Sequence, residues 1–367
     1  MKILRKRSSP WVKWAAVAGL STGVHAADVL SVAHPDEDFA TDRTVVWTPL
    51  FQAAWDRMNS DLGGVPVKVE PPNALMARLD AFKWQAGSVM PEGKWKVWSG
   101  AATPDFVAMA NGEAARMTGD AQGPFSAAPE HPDARPGRRL VLALLDRELK
   151  FLKPLHRSTS MPLAFRGGEE REQPVKFFGV RGNLSGGFGG MVKILSRDAD
   201  SHALEIRSDE KESLVLYLPK ERESFGAACT KLQGWRKERL KGEHGSATDP
   251  SLHDKDDLRI PYLDLEARAD FLPALDGLRF HPGTSVPYTI VKAEQRTKFK
   301  ITEKGAKVRA KVELSADPFG EAPPPPPMTP RDFHFDRPFF VFMWREGAEL
   351  PYFGTWIGDA SGMEAWE

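Results

Sequence analysis

The stretch Thr297-Lys-Phe-Lys-Ile-Thr-Glu-Lys-Gly-Ala-Lys-Val-Arg-Ala-Lys-Val-Glu-Leu-Ser315 holds two strand patterns in succession. In the first, apolar Phe299 and Ile301 alternate with polar neighbours through Glu303, as a half-buried strand requires. Lys304 and Gly305 interrupt it. From Ala306 the alternation resumes, with Ala306, Val308, Ala310, Val312 and Leu314 on one face and Lys307, Arg309, Lys311, Glu313 and Ser315 on the other. A hairpin turning at Glu303-Lys-Gly305 fits this much. The continuation is odd for a hairpin: Ala316-Asp-Pro-Phe-Gly-Glu-Ala322 leads into five prolines, Pro323 to Pro327. Polyproline is extended, stiff and solvated, and it lacks the backbone donors of a ladder. A strand-competent segment therefore feeds an exposed, proline-rich loop.

Outward from this stretch, short strand patterns fill the middle of the chain: Leu140 to Leu145, Met161 to Arg166, Val175 to Val180, Met191 to Ile194, Ala203 to Ile206, Leu214 to Leu218 and Arg259 to Leu265. Helical spacing occurs at Phe51, Ala54, Trp55, Met58 and Leu62 after Pro49, and over Ser224 to Lys241; Asn73 to Phe82, Gly112 to Met117 and Ala269 to Leu275 read as shorter helices. Pro129 to Arg138 and Ser246 to Asp257 read as loops. Helices early and antiparallel-looking strands later predict an α+β fold in one domain.

Bulk properties exclude several functions. The 367 residues are 41% hydrophobic and 10% aromatic, enough for a sizeable core. Fifty basic residues balance fifty acidic ones, so no whole-chain field draws the protein to nucleic acid or an anionic membrane. The one cysteine, Cys229, excludes an internal disulfide and a multi-thiolate zinc site, and its place in Phe225-Gly-Ala-Ala-Cys-Thr-Lys-Leu232 predicts burial on a helix. His34-Pro-Asp-Glu-Asp38 reads as a solvated acidic loop rather than a set of metal ligands, and Gly186-Gly-Phe-Gly-Gly190 as a turn, since it lacks a P-loop lysine. Asp146, His156 and Ser158 lie close in sequence, but nothing orders them as orienter, base and nucleophile. Neither metal nor cofactor is expected, and no enzyme activity.

At the other end, basic Met1-Lys-Ile-Leu-Arg-Lys-Arg7, the apolar run Trp14 to Leu20 and the small residues at Ala26-Ala27 form the pattern of a secretory signal over residues 1–26. The run is too short to span a membrane, so a secreted or periplasmic domain of residues 27–367, free of the membrane after cleavage, is expected.

Several of these pieces share a resemblance. Ile301-Thr-Glu-Lys-Gly-Ala306 resembles the serpin hinge, where the last fixed strand of the large sheet passes through Glu-x-Gly into the reactive loop. Phe335-Asp-Arg-Pro-Phe-Phe-Val-Phe-Met343 and Pro351-Tyr-Phe-Gly354 resemble the serpin C-terminal signature in order and spacing. Leu214-Val-Leu-Tyr-Leu-Pro219, and Ile260-Pro-Tyr-Leu-Asp-Leu265 with Ala269-Asp-Phe271, are similar to two further serpin strands; Leu149-Lys-Phe-Leu-Lys-Pro154 and Val175-Lys-Phe-Phe178 are fainter matches. Val46-Trp-Thr-Pro-Leu50 is similar to the segment that opens a buried helix in that family. The interval from there to residue 140 is short for a serpin, which implies a divergent member of bacterial type with a reduced N-terminal helical half.

The resemblance implies a multi-sheet antiparallel β core with several helices and an exposed reactive-centre loop over about residues 303–334. It also implies a serine protease partner, trapped as a covalent acyl complex when the cut loop inserts as a new strand. Hinge roles then fall on Glu303, Gly305, Ala306, Val308, Ala310 and Val312, and shutter-like roles on Thr48, Pro49 and Gln295, where Phe51 stands in place of the family's serine and Gln295 in place of its histidine. The family's usual interval from Gly305 puts the cut bond between Phe319 and Gly320, bait for a chymotrypsin-like protease; counting back from Pro338 lands near Pro327-Met328 instead. Lys307, Arg309 and Lys311 depart from the small-residue hinge of inhibitors, and a helix packed over them would slow insertion. A non-inhibitory exported binding or structural protein of the same fold is the alternative.

Overall fold

The computed structural model describes residues 29–64, 67–119, 123–125, 138–168, 172–182, 186–208, 210–240, 250–282, 287–306 and 329–367. The chain runs β1 (Leu30–Val32), β2 (Val45–Trp47), α1 (Leu50–Asp61), β3 (Lys68–Glu70), α2 (Ala74–Ala81), α3 (Ala86–Val89), β4 (Trp95–Ala101), α4 (Pro104–Thr118) and β5 (Arg138–Leu145). Next come β6 (Leu149–Lys150), β7 (His156–Arg157), β8 (Leu163–Arg166), β9 (Glu172–Val175), β10 (Phe177–Arg181), β11 (Val192–Arg197), β12 (His202–Arg207), β13 (Glu212–Leu218) and α5 (Phe225–Leu240). The last third holds β14 (Asp257–Pro261), β15 (Leu263–Asp270), α6 (Leu272–Leu275), β16 (Arg279–His281), β17 (Thr289–Ile301), β18 (Gly305–Ala306), β19 (Asp332–His334), β20 (Phe339–Arg345) and β21 (Phe353–Ile357). The expected α+β fold, with several mostly antiparallel sheets, is what the chain forms.

Two sheets carry the architecture. One has seven strands in the order β1-β2-β21-β20-β13-β12-β11, antiparallel except for β1 with β2. It is buried on both faces, so β13 from Leu214 to Leu218 and β20 from Phe339 to Trp344 read as unbroken apolar runs. Phe225, Cys229 and Leu232 of α5 pack one face against Tyr217, Phe340 and Trp356. The other face supplies Leu204, Leu216, Val341 and Phe353 to a core shared with the second sheet, where Phe353 stacks on Phe299 at 4.6 Å. A Cβ at Gly354 would come 2.9 Å from the Phe342 ring and 3.3 Å from that of Phe225, so this strand passes the aromatic layer only as glycine.

The second sheet has the order β15-β17-β5-β4. Behind it, Trp55 and Met58 of α1 share a cluster with Phe271, Phe280, Ile290 and Ala293. In front, Val107, Ala110 and Ala114 of α4 cover Trp98, Leu140, Leu142 and Leu144. Helix α4 is bounded by its own sequence: the Thr103 hydroxyl accepts from the Phe106 amide, Pro104 opens the first turn, and Gly119 closes it in the left-handed region. A third sheet, β19-β14-β10-β7, sits where the chain returns after the proline-rich segment.

Several elements differ from the sequence expectation. Arg259 to Leu265 is not one strand: β14 and β15 belong to different sheets, and the chain changes over at Pro261-Tyr262, where proline offers no ladder donor. Val175 to Val180 also divides, because the Lys176 amide donates to the Glu364 carbonyl of the C-terminal segment. The helix expected from Ala269 starts at Leu272, since Ala269 and Asp270 pair with Gln295 and Glu294. The 112–117 helix is the C-terminal part of the longer α4. His34 is not solvated: it is buried, edge-on to Phe82 at 5.3 Å, and burial holds its imidazole below its ordinary value. Cys229 is buried and free as expected, and burial pushes its thiol up. The signal pattern, the loop at 129–137 and residues 307–328 lie outside the described residues.

Candidate functional site

The centre of the four-stranded sheet is a seam. Strands β15 and β4 lie antiparallel to their neighbours, but the two inner strands, β17 and β5, run parallel, with Ala293 opposite Val141, Gln295 opposite Ala143 and Thr297 opposite Leu145. Parallel pairing is slightly weaker per residue than antiparallel. A strand entering between the two in reverse direction would replace one parallel ladder by two antiparallel ones.

The segment expected to act as the hinge sits at the end of this seam. After β17, residues Glu303 and Lys304 form a two-residue turn, with Thr302 and Gly305 exchanging backbone hydrogen bonds of 2.9 and 3.0 Å. Gly305 and Ala306 then run back as β18 and pair with Lys150 and Leu149 of β6. Two residues thus already lie between β17 and the continuation of β5. Gly305 is required here on two counts: its φ is +113°, and a Cβ would come 2.4 Å from the Leu149 carbonyl oxygen.

Glu303 clamps the turn. Its carboxylate accepts from Arg157 Nε at 2.8 Å and from the Tyr262 hydroxyl at 3.0 Å, while the backbone carbonyls of Glu303 and Lys304 accept from the Leu155 and Phe151 amides. Burial acts to raise the Glu303 carboxyl, but the Arg157 and Tyr262 hydrogen bonds and the guanidinium charge outweigh it and hold the group below the ordinary carboxylate value. Nothing in the sequence pattern marked Arg157 or Tyr262. Tyr262 stands at the changeover between two strands that read as one.

Deeper in the sheet, Thr48, Pro49 and Gln295 come together. The Thr48 hydroxyl donates to Gln295 Oε1 at 3.2 Å and accepts from the Leu50 amide at 3.3 Å; the Pro49 carbonyl accepts from Ala53 at the start of α1. Gln295 Nε2 in turn donates to the Thr297 hydroxyl at 3.4 Å. These buried groups tie the start of α1 to the middle of β17. Phe51 does not join them and packs on Phe271 at 4.5 Å. Directly behind the seam is a cleft of about 440 Å³, open mouth included, lined by aromatic Phe51, Trp55 and Phe271 and by the small Ala143 and Ala293.

Phe319, Gly320, Val308, Ala310 and Val312 lie outside the described residues, and of Ala306 only the backbone is described. The three residues weighed as a catalytic set do not assemble as one: the Ser158 hydroxyl donates to the Met161 carbonyl, and His156 lies edge-on to Phe188 at 5.5 Å. No described helix is long and apolar enough to cross a membrane.

No family model and no curated protein sequence matches the chain. Solved structures do. A thermophilic serpin, tengpin, in its native state is similar with a TM-score of 0.53 at 12% identity, over 90% of this chain and 97% of that one. Human thyroxine-binding globulin is similar with a TM-score of 0.50 at 10% identity, over 88% of this chain and 93% of that one. At such identities the likeness is one of fold, and it spans nearly the whole of both partners. With its two large sheets, a central parallel seam and a Glu-x-Gly turn folded back into that seam, this chain has the serpin fold.

Proposed function

We propose that this protein is an exported inhibitor of a serine endopeptidase of chymotrypsin-like specificity, acting through cleavage of the loop at about residues 303–334 and insertion of its N-terminal side into the seam. One observation carries the reading: Gly305 and Ala306 already occupy the first two places between β17 and β6. The alignments on the two sides agree. The turn sets Ala306 beside Ile301, β6 sets it beside Leu149, and the β17–β5 register continues both without a slip down to Lys292 opposite Leu140. Extending that register puts Val308, Ala310, Val312 and Leu314 beside Phe299, Thr297, Gln295 and Ala293, the buried face of β17. Val312 and Leu314 would enter the cleft lined by Ala143, Val141 and Ala293.

In this reading the Phe319–Gly320 bond is the bait, Glu303, Gly305 and Ala306 with Val308, Ala310 and Val312 form the hinge, and Thr48, Pro49 and Gln295 hold the seam shut until it parts. The test is incubation with chymotrypsin, followed by denaturing gels and mass spectrometry of the released peptide. A complex that survives denaturant, with release starting at Gly320, is expected. Val308→Asp and Ala310→Glu should remain folded and cleavable but form no complex, because each would bury an unpaired charge. Equal trapping by these variants would eliminate insertion.

A second reading, a non-inhibitory binding or structural protein, is favoured by one observation: α4 covers Leu142 and Leu144 on the outer face, beside which the inserted residues would have to pass. The same fold serves human thyroxine-binding globulin, so fold alone does not decide. Cleavage without a complex and without a rise in thermal stability would decide for this reading.

A further inference from the structure

Behind the seam, α1 turns Phe51, Ala54, Trp55 and Met58 toward the sheet at the i, i+3, i+4, i+7 spacing of one helix face. The sheet answers with small side chains, Ala143 of β5 and Ala293 of β17, where the aromatic rings would need large partners to close the gap. The gap stays open. Its walls are fixed in advance: Phe51 packs on Phe271 at 4.5 Å, and the Trp55 indole N–H donates at 2.8 Å to Oδ1 of Asp80, which is not part of the lining. Met58 and Met76, unbranched and polarisable, line it as well and can adjust to what enters. At about 440 Å³ with its open mouth, the cleft falls at the small end of ligand sites, which run from roughly 300 to 1,000 Å³.

The lining selects the chemistry. Eleven of the thirteen residues around the cleft are apolar, and the two polar ones, Glu294 and Gln295, are adjacent on β17. Lys292 holds the Glu294 carboxylate at 3.3 Å, so the rim adds no uncompensated charge, and an ion pressed against the apolar walls would lose its hydration without gaining a partner. A neutral ligand is selected. Gln295 supplies the polar handle: its Oε1 accepts from Thr48 and its Nε2 donates to Thr297 at 3.4 Å, yet a side-chain amide offers two donors and two acceptor positions. One of each remains on a buried group that lines the cleft. A hydroxyl can use either.

We propose that this cleft is a binding site for a compact, neutral molecule of one aromatic ring and one hydroxyl, a simple phenol, with the ring among Phe51, Trp55, Phe271 and the two alanines and the hydroxyl on the Gln295 amide. Edge-to-face and offset contacts with three aromatic side chains favour an aromatic ring over an alkyl chain of equal volume. The ligand touches α1, β5 and β17 at once, and because this site exists only in the folded chain, binding raises the melting temperature. No part of the loop is needed, so the site holds whether or not the loop inserts.

Calorimetric titration and melting curves of the full chain test this, with para-cresol as the probe, toluene as the analogue without the hydroxyl and para-toluate as the charged one. Saturable one-to-one binding of para-cresol is expected, with a melting temperature that rises with its concentration. Toluene should bind about three- to tenfold more weakly, the worth of one net hydrogen bond, and para-toluate not measurably. Ala143→Val fills the space of the ring from β5 and should weaken para-cresol at least about tenfold; Ala293→Val, filling it from β17, should do the same. Each variant's melting curve without ligand reports whether it is folded. Absence of saturable para-cresol binding by the parent chain would overturn the site, as would undiminished binding by both folded variants, which would place the ligand elsewhere. Toluene or para-toluate binding as tightly as para-cresol would overturn the assignment of a neutral, hydroxyl-bearing ligand.

Discussion

The two large sheets solve opposite problems. The seven-stranded sheet joins neighbours that are mostly consecutive in sequence, β11 to β12 to β13 and β20 to β21, and closes them under stacked aromatic rings. Phe340 alone touches Phe39, Tyr217, Phe225, Phe342 and Trp356, the last at 4.7 Å between centroids. The four-stranded sheet joins β4 and β5 to β15 and β17, two pairs of strands remote from each other in sequence, meets at a parallel seam, and backs that seam with alanines and a cleft. One sheet is filled and the other is left incomplete. Packing, rather than strand count, distinguishes the two sheets.

The largest effect should come from emptying the filled sheet. Phe340→Ala removes the ring around which five others pack and is expected to cost about 3–5 kcal/mol in denaturant unfolding. A loss below about 1 kcal/mol would show that the aromatic layer is not what holds this sheet. Next comes His202 of β12, buried edge-on to Phe335 at 4.9 Å. Burial, helped by the charges of Arg337 and Arg197, lowers its imidazole from 6.5 to about 3. The unfolded chain therefore binds a proton that the folded chain refuses between these values, and stability should fall with pH by roughly 1.4 kcal/mol per unit below 6.5, levelling near 3. Replacing His202 by Gln should flatten that slope in melting curves; an unchanged slope would place the acid sensitivity elsewhere.

The same contrast explains what was legible in the sequence. Motifs in the filled sheet, Leu214 to Pro219 and Phe335 to Gly354, were readable because burial on both faces leaves continuous apolar runs with glycine and proline at forced positions. The turn at Glu303-Lys-Gly305 was readable too, since only glycine fits its left-handed position against Leu149. The division of Val175 to Val180 was not, because the C-terminal segment that takes the Lys176 amide lies 188 residues away. Nor were the partners of Glu303: Arg157 is 146 residues distant and Tyr262 is 41, and no local pattern encodes such pairs. Of α4, only a six-residue core showed periodicity, since its face is made of alanines that signal helix and burial weakly.

One substitution tried in both sheets tests the comparison directly. Ala143 borders the cleft behind the seam, whereas Ala203 is fully buried in the aromatic layer, paired across the ladder with Tyr217. Ala143→Val should raise stability by up to about 1 kcal/mol, because the added methyl groups enter empty space, and in the proposed mechanism should slow insertion. Ala203→Val should lower stability by about 1–3 kcal/mol through overpacking. Calorimetry on the two variants settles the sign; destabilisation by both would mean that the cleft closes in solution and the seam is as tightly packed as its counterpart.

The smallest expected effect lies at the hinge itself. Arg157 is mostly exposed, with 64% of its side chain accessible, so its ion pair with Glu303 contributes less than about 1 kcal/mol after solvent screening. The folded Glu303 carboxyl lies below its ordinary 4.5, so its contribution is complete above that value and is lost as pH falls through the folded one. Melting curves of the parent chain and Glu303→Gln should therefore be separated by a degree or two at neutral pH and converge in acid. A gap that persists unchanged at about pH 3 would assign the difference to local packing and not to the charge, since the Gln amide oxygen can still accept from Tyr262. In the proposed mechanism inhibition should respond more than stability does, since Glu303 holds the turn that leads into the loop, whereas Phe340 lies in the aromatic layer of the other sheet.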